Sequence, residues 1–285
     1  MGKEFTKEEL LDAAREAGLV ASPRLLRAWV QAGLIDRPAR KSRGRAKGVV
    51  GYYSENQRIL FLALLRNRQA GASLKQLANL PVWLWLRFGD EYVPLRQVRG
   101  ALVTWRKAVV SAGWTKADLS AAHVTKLLSA PGARQGRQRW LRSVLADIPA
   151  DLDVDVGELV DAARGVIDPG RTGIPLGPEG AQLFPEGYSE LVVARLEALN
   201  GIREFSPRPF SDEEFMSARS AYRRTTADYQ QNVQEFQADS EIGDIFETPS
   251  VEGKMNSACQ NLTMLLGLLR RNSGEKPRKL PRTRR

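Results

Sequence analysis

A chain of 285 residues with 42% hydrophobic and 27% charged side chains has enough apolar material for two ordinary domains or one large domain. Its longest apolar runs, 59–65 and 264–269, are too short to cross a bilayer, and the charged first residues lack the apolar stretch of a secretory signal. We therefore expect no membrane contact and, because Cys259 is the one cysteine and no internal disulfide can form, a cytoplasmic location.

Charge is distributed unevenly along the chain. Residues 1–87 carry 16 Lys/Arg against 7 Asp/Glu, residues 88–269 carry 19 against 25, and residues 270–285 carry 8 against 1. Basic ends attract polyanions, because neutralising phosphates releases counterions. The distribution favours a nucleic acid as the partner over the alternative that arginine is simply frequent on the surface.

Two short helices are predicted at the start of the chain. The segment Thr6-Lys7-Glu8-Glu9 is a capping box, and the helix that it opens ends at Gly18. The pair Ser22-Pro23 starts a second helix, with Ser as N-cap and Pro at the first helical position. Apolar residues then recur at helical spacing up to Gly33, a typical C-terminal stop.

A basic hairpin is predicted next, followed by two more helices. The interval from Asp36 to Gly51 has a basic centre that contains glycine, and residues 49–53 suit a strand. Ser54-x-x-Gln57 caps a third helix that ends near Gln69. Ser73 caps a fourth, which is predicted to end at Leu80 because Pro81 interrupts it.

The remainder is predicted to be a helical body with a basic tail. Helices are expected at 95–109, 115–129, 138–147, 157–167, 189–200, 211–238 and 254–271. Residues 168–187 are rich in Pro and Gly and predict a linker or extended loop, and 239–252 predicts an acidic loop. The resulting domains are 1–80, 81–272 and a disordered tail at 273–285.

Two short helices joined by a tight turn and followed by a basic hairpin form a winged helix-turn-helix, whose second helix enters the major groove of DNA. Ser22, Arg24 and Arg27 lie on the N-terminal half of that helix, where arginine can make bidentate contacts with guanine or phosphate. The hairpin would lie along the backbone or reach into a minor groove. Its basic residues are Arg37, Arg40, Lys41, Arg43, Arg45 and Lys47.

The segment from about Leu10 to Leu80 resembles the DNA-binding domain of the MerR family. The similar stretches are 26–29 with 33–35 (LRAW and GLI), 53–55 (YSE) and 71–77 (GASLKQL). Tyr53 takes the place of the tyrosine that ends the family's wing, which makes it a DNA-binding candidate, whereas Gly51 replaces the family's phosphate-contacting arginine. The resemblance implies a homodimer on a palindromic site, acting by deforming promoter DNA.

Signals for metal binding and catalysis are weak. Asp151-x-Asp153-x-Asp155 begins like a calcium loop, but Val156 and Ala162 stand where that loop needs Gly and Glu, so a polar connection that caps the next helix is favoured. His123 is the only histidine, so histidine-based metal sites and most Ser-His or Cys-His catalytic groups lack residues that they need. The sequence has neither a phosphate-binding loop nor a dinucleotide fingerprint. We expect no metal, no cofactor and no enzymatic activity.

The sequence therefore predicts an all-α protein with a small β-hairpin wing, a winged helix-turn-helix at 1–80 followed by a helical body. The expected function is sequence-specific binding of double-stranded DNA near the nucleoid, most simply for transcription regulation. One alternative is an excisionase, partition or architectural DNA-binding protein of a mobile element. The other is an enzyme or enzyme subunit that the N-terminus targets to DNA. The helical body offers a surface for a protein partner.

Overall fold

The computed structural model describes residues 3–42, 49–111, 134–146, 155–173, 184–237 and 251–273. Over these ranges the chain is mostly helical with a small antiparallel sheet, which confirms the predicted class at this level. The helices are α1 Lys7–Glu16, α2 Pro23–Gln31, α3 Glu55–Gln69, α4 Leu74–Phe88, α5 Leu95–Ser111, α6 Gln135–Ala146, α7 Val156–Ile167, α8 Pro185–Ile202, α9 Asp212–Gln237, α10 Val251–Asn256 and α11 Ala258–Asn272.

The sheet contains three strands in the order β1-β3-β2, with all neighbours antiparallel. The strands are β1 Glu4–Phe5, β2 Ala39–Ser42 and β3 Val49–Ser54. The predicted hairpin is confirmed by the pairing of β2 with β3, in which Lys41 lies opposite Val50. Strand β1 pairs Phe5 with Tyr53 and was not predicted, because two residues are too few to show an alternating pattern.

The predicted caps of the first two helices are confirmed. The Thr6 hydroxyl accepts from the N–H of Glu9, and the Glu9 carboxylate accepts from the N–H of Thr6, at 3.3 and 2.6 Å. The Ser22 hydroxyl accepts from the N–H of Leu25 at 3.1 Å. Helices α1 and α2 end at Glu16 and Gln31. Two residues further on, Gly18 and Gly33 have positive φ angles of 69° and 71°, which let the chain reverse.

Helix α4 corrects the prediction that a helix stops at Leu80. It continues through Pro81 to Phe88, so the expected domain boundary at 80 falls inside a helix. An interior proline costs a helix about 3 kcal/mol, whereas burial of one large apolar side chain contributes about 1.5–3 kcal/mol. Trp85 and Leu86 are fully buried beyond the proline, and their burial outweighs that cost.

Side chains from distant parts of the chain close off the end of α4 and the start of α11. The Arg219 guanidinium donates to the carbonyls of Trp85 and Leu86, which satisfies groups that a helix end leaves open. The N–H of Cys259 donates to the Asn79 side chain on α4. The predicted helix at 254–271 is accordingly two helices that meet at Ser257.

The helices form one continuous core that extends from Phe5 to Leu266. Helix α4 packs against α5, α8 packs against α7 and α11, and α11 also contacts α9 and α4. The predicted helix at 115–129, residues 239–250 of the predicted acidic loop and residues 274–285 of the basic tail lie outside the described residues, whereas residues 251 and 252 belong to α10. In the part of the chain that the structure describes, no helix is both long and apolar enough to span a bilayer.

Candidate nucleic-acid interface

Helix α2 presents two arginines on its outer side. Its inner side is anchored by Leu26 and by Trp29, whose ring meets Phe61 of α3 edge-on at 5.7 Å between centroids. Arg24 and Arg27 are exposed, and neither makes a hydrogen bond or an ion pair with another described residue. Two guanidinium groups three residues apart therefore face solvent with their donors available.

The Ser22 hydroxyl, predicted to contact DNA, serves as the N-cap of α2. Its oxygen accepts from a backbone N–H at the first turn, so its acceptor role is structural, whereas its own hydrogen can still be donated. The side chain is exposed. Ser22 therefore fixes where α2 begins, and with it the position of Arg24.

The basic side chains of the hairpin differ in whether they already have a binding partner. Arg37 and Arg40 are exposed and, within the described ranges, have no hydrogen-bonded or ionic partner. Lys41 differs, because its ammonium group donates to both carboxylate oxygens of Glu4 at 2.7 and 2.6 Å and lies 5.9 Å from the Tyr52 ring centroid. Lys41 thus ties β2 to β1. Arg43, Arg45 and Lys47 lie outside the described residues.

Tyr53, which the sequence made a DNA-binding candidate, lies in the core. Its side chain is 6% exposed, and burial, together with the nearby Asp36 charge, raises the pKa of the phenol. The physical reason is its position on β3 opposite Phe5, on the face that packs toward the helices. Tyr53 is therefore assigned to packing.

The acidic residues that flank the hairpin already have basic partners. Glu4 pairs with Lys41, and Glu55 pairs with Arg58 one turn along α3. Asp36 accepts two hydrogen bonds from the Arg96 guanidinium, at 2.8 and 2.5 Å. These pairings leave the arginines of α2 and of the hairpin without a carboxylate that neutralises them among the described residues, so this end of the molecule remains electropositive.

A chain of buried hydrogen-bonded amides joins the loop between α2 and β2 to helix α5. The N–H of Asp36 donates to the Gln57 side chain at 2.8 Å, and Gln57 donates to Gln97 at 2.9 Å. Gln97 in turn donates to the carbonyl of Leu34 at 2.8 Å. Because buried amides are costly to leave unpaired, this chain fixes α2 and the first hairpin strand against the body.

The sequence did not predict this amide chain. Gln57 was expected to belong to the cap of α3, and the Ser54 hydroxyl does accept from its N–H at 3.3 Å. Its side-chain amide, however, points to Asp36 and Gln97, partners 21 and 40 residues away. No signal in the sequence indicates this role, because Gln57 is one of several polar residues in the first turn of α3.

The structure describes part of the segment that begins like a calcium loop. Over the described ranges, no three His, Cys, Asp or Glu side chains are placed to hold a metal ion. Asp155 caps α7 by accepting from the N–H of Glu158 at 3.0 Å, as the sequence predicted. Asp151, Asp153 and His123 lie outside the described residues.

Comparison with known proteins identifies no relative. No family model matches the chain, and no similar protein is found among curated proteins or solved structures.

Proposed function

We propose that this protein binds double-stranded DNA through α2 and the basic hairpin, as a winged helix-turn-helix of the MerR-like kind. In this proposal α2 enters the major groove, and the hairpin lies along the phosphate backbone. The order of helix, turn, helix and antiparallel hairpin supports it. Sequence-specific binding for transcription regulation is the role that we propose.

One observation carries the proposal. Arg24, Arg27, Arg37 and Arg40 are exposed and lack partners among the described residues, while the neighbouring acids are paired elsewhere. An exposed guanidinium without a carboxylate partner keeps its donors available for a ligand. Arginines left uncompensated on a helix and an adjacent hairpin are arranged as a phosphate-binding surface requires.

The test is a titration of duplex DNA at several salt concentrations. Binding should weaken roughly a thousandfold between about 50 and about 200 mM salt if six or more phosphates are neutralised. A variant with alanine at 24, 27, 37 and 40 should lose most of its affinity.

A matched control removes the same four charges elsewhere. Arg134, Arg139, Arg223 and Arg224 are exposed residues of the body, and their combined replacement by alanine should change affinity little. Equal losses in the two variants would mean that net charge alone attracts DNA. A flat salt response would remove the electrostatic basis of the proposal altogether.

A further inference from the structure

An open cleft of about 350 Å³ lies between α5, the turn that follows α8 and the C-terminal end of α2. The buried apolar residues of its lining are Leu102, Ile202, Phe210 and Phe215. Val103, which also belongs to the lining, is half-buried. The volume and the apolar lining are within the range of sites that hold small molecules.

Among the described residues, some charged side chains of the cleft already have hydrogen-bonded or ionic partners, and one does not. Arg99 donates to the Phe210 carbonyl and to Asp212, both at 2.6 Å. Lys107 binds Glu204 at 2.6 Å, and Glu204 is the one carboxylate in the lining. The Arg203 side chain is exposed, and its guanidinium forms no hydrogen bond or ion pair within the described part of the chain.

A second cation stands close to Arg203. Arg106 is half-buried and donates to the carbonyl of Leu199. Burial and, after it, the positive charge of Arg203 lower the pKa of the Arg106 guanidinium. The Arg203 charge therefore acts on the Arg106 guanidinium, and an anion bound beside Arg203 would offset that repulsion.

We propose that this cleft is a binding site for small aromatic carboxylates, with the carboxylate on Arg203 and the ring against the apolar lining. This assignment goes beyond DNA binding and does not depend on it. Arginine suits the role because its planar fork matches a carboxylate. Glu204 opposes an anion, and its pairing with Lys107 limits that opposition.

The cleft also adjoins the end of α2. Gln31, the last residue of α2, belongs to its lining, and the Thr104 hydroxyl donates to the carbonyl of Ala32 at 2.7 Å. A ligand that contacts both α5 and Gln31 binds only the folded arrangement of these elements. Occupancy should therefore raise the melting temperature, by an increment that grows with the logarithm of ligand concentration once that concentration exceeds the Kd.

The experiment uses the full chain and 1-naphthoate, with 1-naphthamide as the uncharged ligand of the same shape. Calorimetric titration should show at least tenfold tighter binding of the carboxylate, the size of one charge-assisted hydrogen bond. Arg203→Ala should weaken naphthoate binding about tenfold or more. Glu204→Gln should strengthen it several-fold, because it removes the opposing charge and releases Lys107.

Arg203→Ala and Glu204→Gln should change naphthoate affinity in opposite directions. Damage to the fold would instead weaken binding in both variants. The control is Arg223→Ala, an exposed arginine of α9 outside the cleft, which should leave binding unchanged. Absence of naphthoate binding, equal binding of the amide, or the same direction of change in both variants would overturn the proposal.

Discussion

Gly33 and Gly100 meet backbone to backbone where α2 joins the body. A Cβ atom on Gly33 would lie 2.4 Å from the carbonyl carbon of Gly100, and one on Gly100 would lie 2.9 Å from the Cα of Gly33. Side chains do not approach backbone so closely, and any larger residue at either position must push α2 away from α5. The contact therefore sets how the arginine-bearing helix sits on the body.

Replacing Gly100 by alanine should lower the free energy of unfolding by about 1–3 kcal/mol, the usual cost of overpacking. The control is Gly136→Ala in α6, where the added methyl group meets no atom within 4 Å. That change should be neutral or stabilise by up to about 1 kcal/mol. Urea unfolding measures both variants, and equal stabilities would mean that the two backbones do not touch.

Replacing Gln97 by leucine should destabilise the protein more than a typical surface change. It leaves the Leu34 carbonyl and the Gln57 amide buried without their partner, at about 1–3 kcal/mol for each group. We expect a total loss of roughly 2–6 kcal/mol in urea unfolding. Gln69→Leu, at the exposed end of α3, is the control. A loss no greater than that of the control would show that the amide chain contributes nothing.

The sequence predicted the elements whose signals are local. Thr6 and Ser22 begin helices through hydrogen bonds to residues three positions away, and Gly18 and Gly33 end them through their own φ angles. Such features need no knowledge of the rest of the fold. The two short helices and the hairpin were predictable for this reason.

Features that depend on distant partners were not predictable. Helix α4 passes Pro81 because residues of α5 and α9 bury its far end, and no local pattern records that burial. The Gln57 amide finds partners 21 and 40 residues away. Tyr53 was a DNA-binding candidate because it takes the place of the tyrosine that ends the wing in the MerR family, but it pairs with Phe5 of the short strand β1 and its side chain is buried in the core.

Stability should fall in acid as the Glu214 carboxylate loses its charge. Burial alone would raise the pKa of the Glu214 carboxyl. Hydrogen bonds from Arg270 and from the backbone N–H of Ser211 lower it by a larger amount, so the net pKa lies below the ordinary 4.5. A depressed folded-state pKa gives stability that is present above the unfolded-state pKa and lost as pH falls through the folded-state value. The loss from this group therefore begins near pH 4.5 and continues below it.

Glu214→Gln should flatten that part of the pH profile. At neutral pH it should cost up to about 3–5 kcal/mol, the range for removing one partner of a buried pair, and nearer the lower figure because Glu214 is partly exposed. Unfolding by urea at several pH values measures both effects. Wild type and variant with parallel profiles between pH 5 and 3 would contradict the assignment.

Residues 274–285 carry six Lys/Arg and one Asp/Glu, a charge that should attract phosphates without reading bases. Deleting them should lower affinity for all duplexes about equally and leave the melting temperature unchanged. A Gly/Ser segment of equal length serves as the control for chain length. Loss of discrimination between specific and random duplexes after deletion would show that the segment reads sequence instead.

The roles of helix α2 and of the hairpin can be separated by what each arginine contacts. A bidentate contact with a base contributes roughly 1–3 kcal/mol of discrimination at one base pair, whereas a phosphate contact shifts all sequences together. Arg24→Ala should therefore relax the preference at particular positions of the bound site, and Arg27→Ala should do so if Arg27 touches a base. Replacing Arg37 and Arg40 together should lower affinity for every sequence and reduce the salt slope by about 2, one for each phosphate contact.

Selection of bound sites from a random duplex library, with wild type and each variant, decides between the two roles. Arg24 is the stronger candidate for reading bases because it lies in the first turn of α2, the end that contacts base edges in helix-turn-helix proteins. Arg27 lies one turn further, where a phosphate contact is equally accessible. If the hairpin variant changes the selected motif while both helix variants leave it intact, the hairpin reads the sequence and α2 only anchors the backbone.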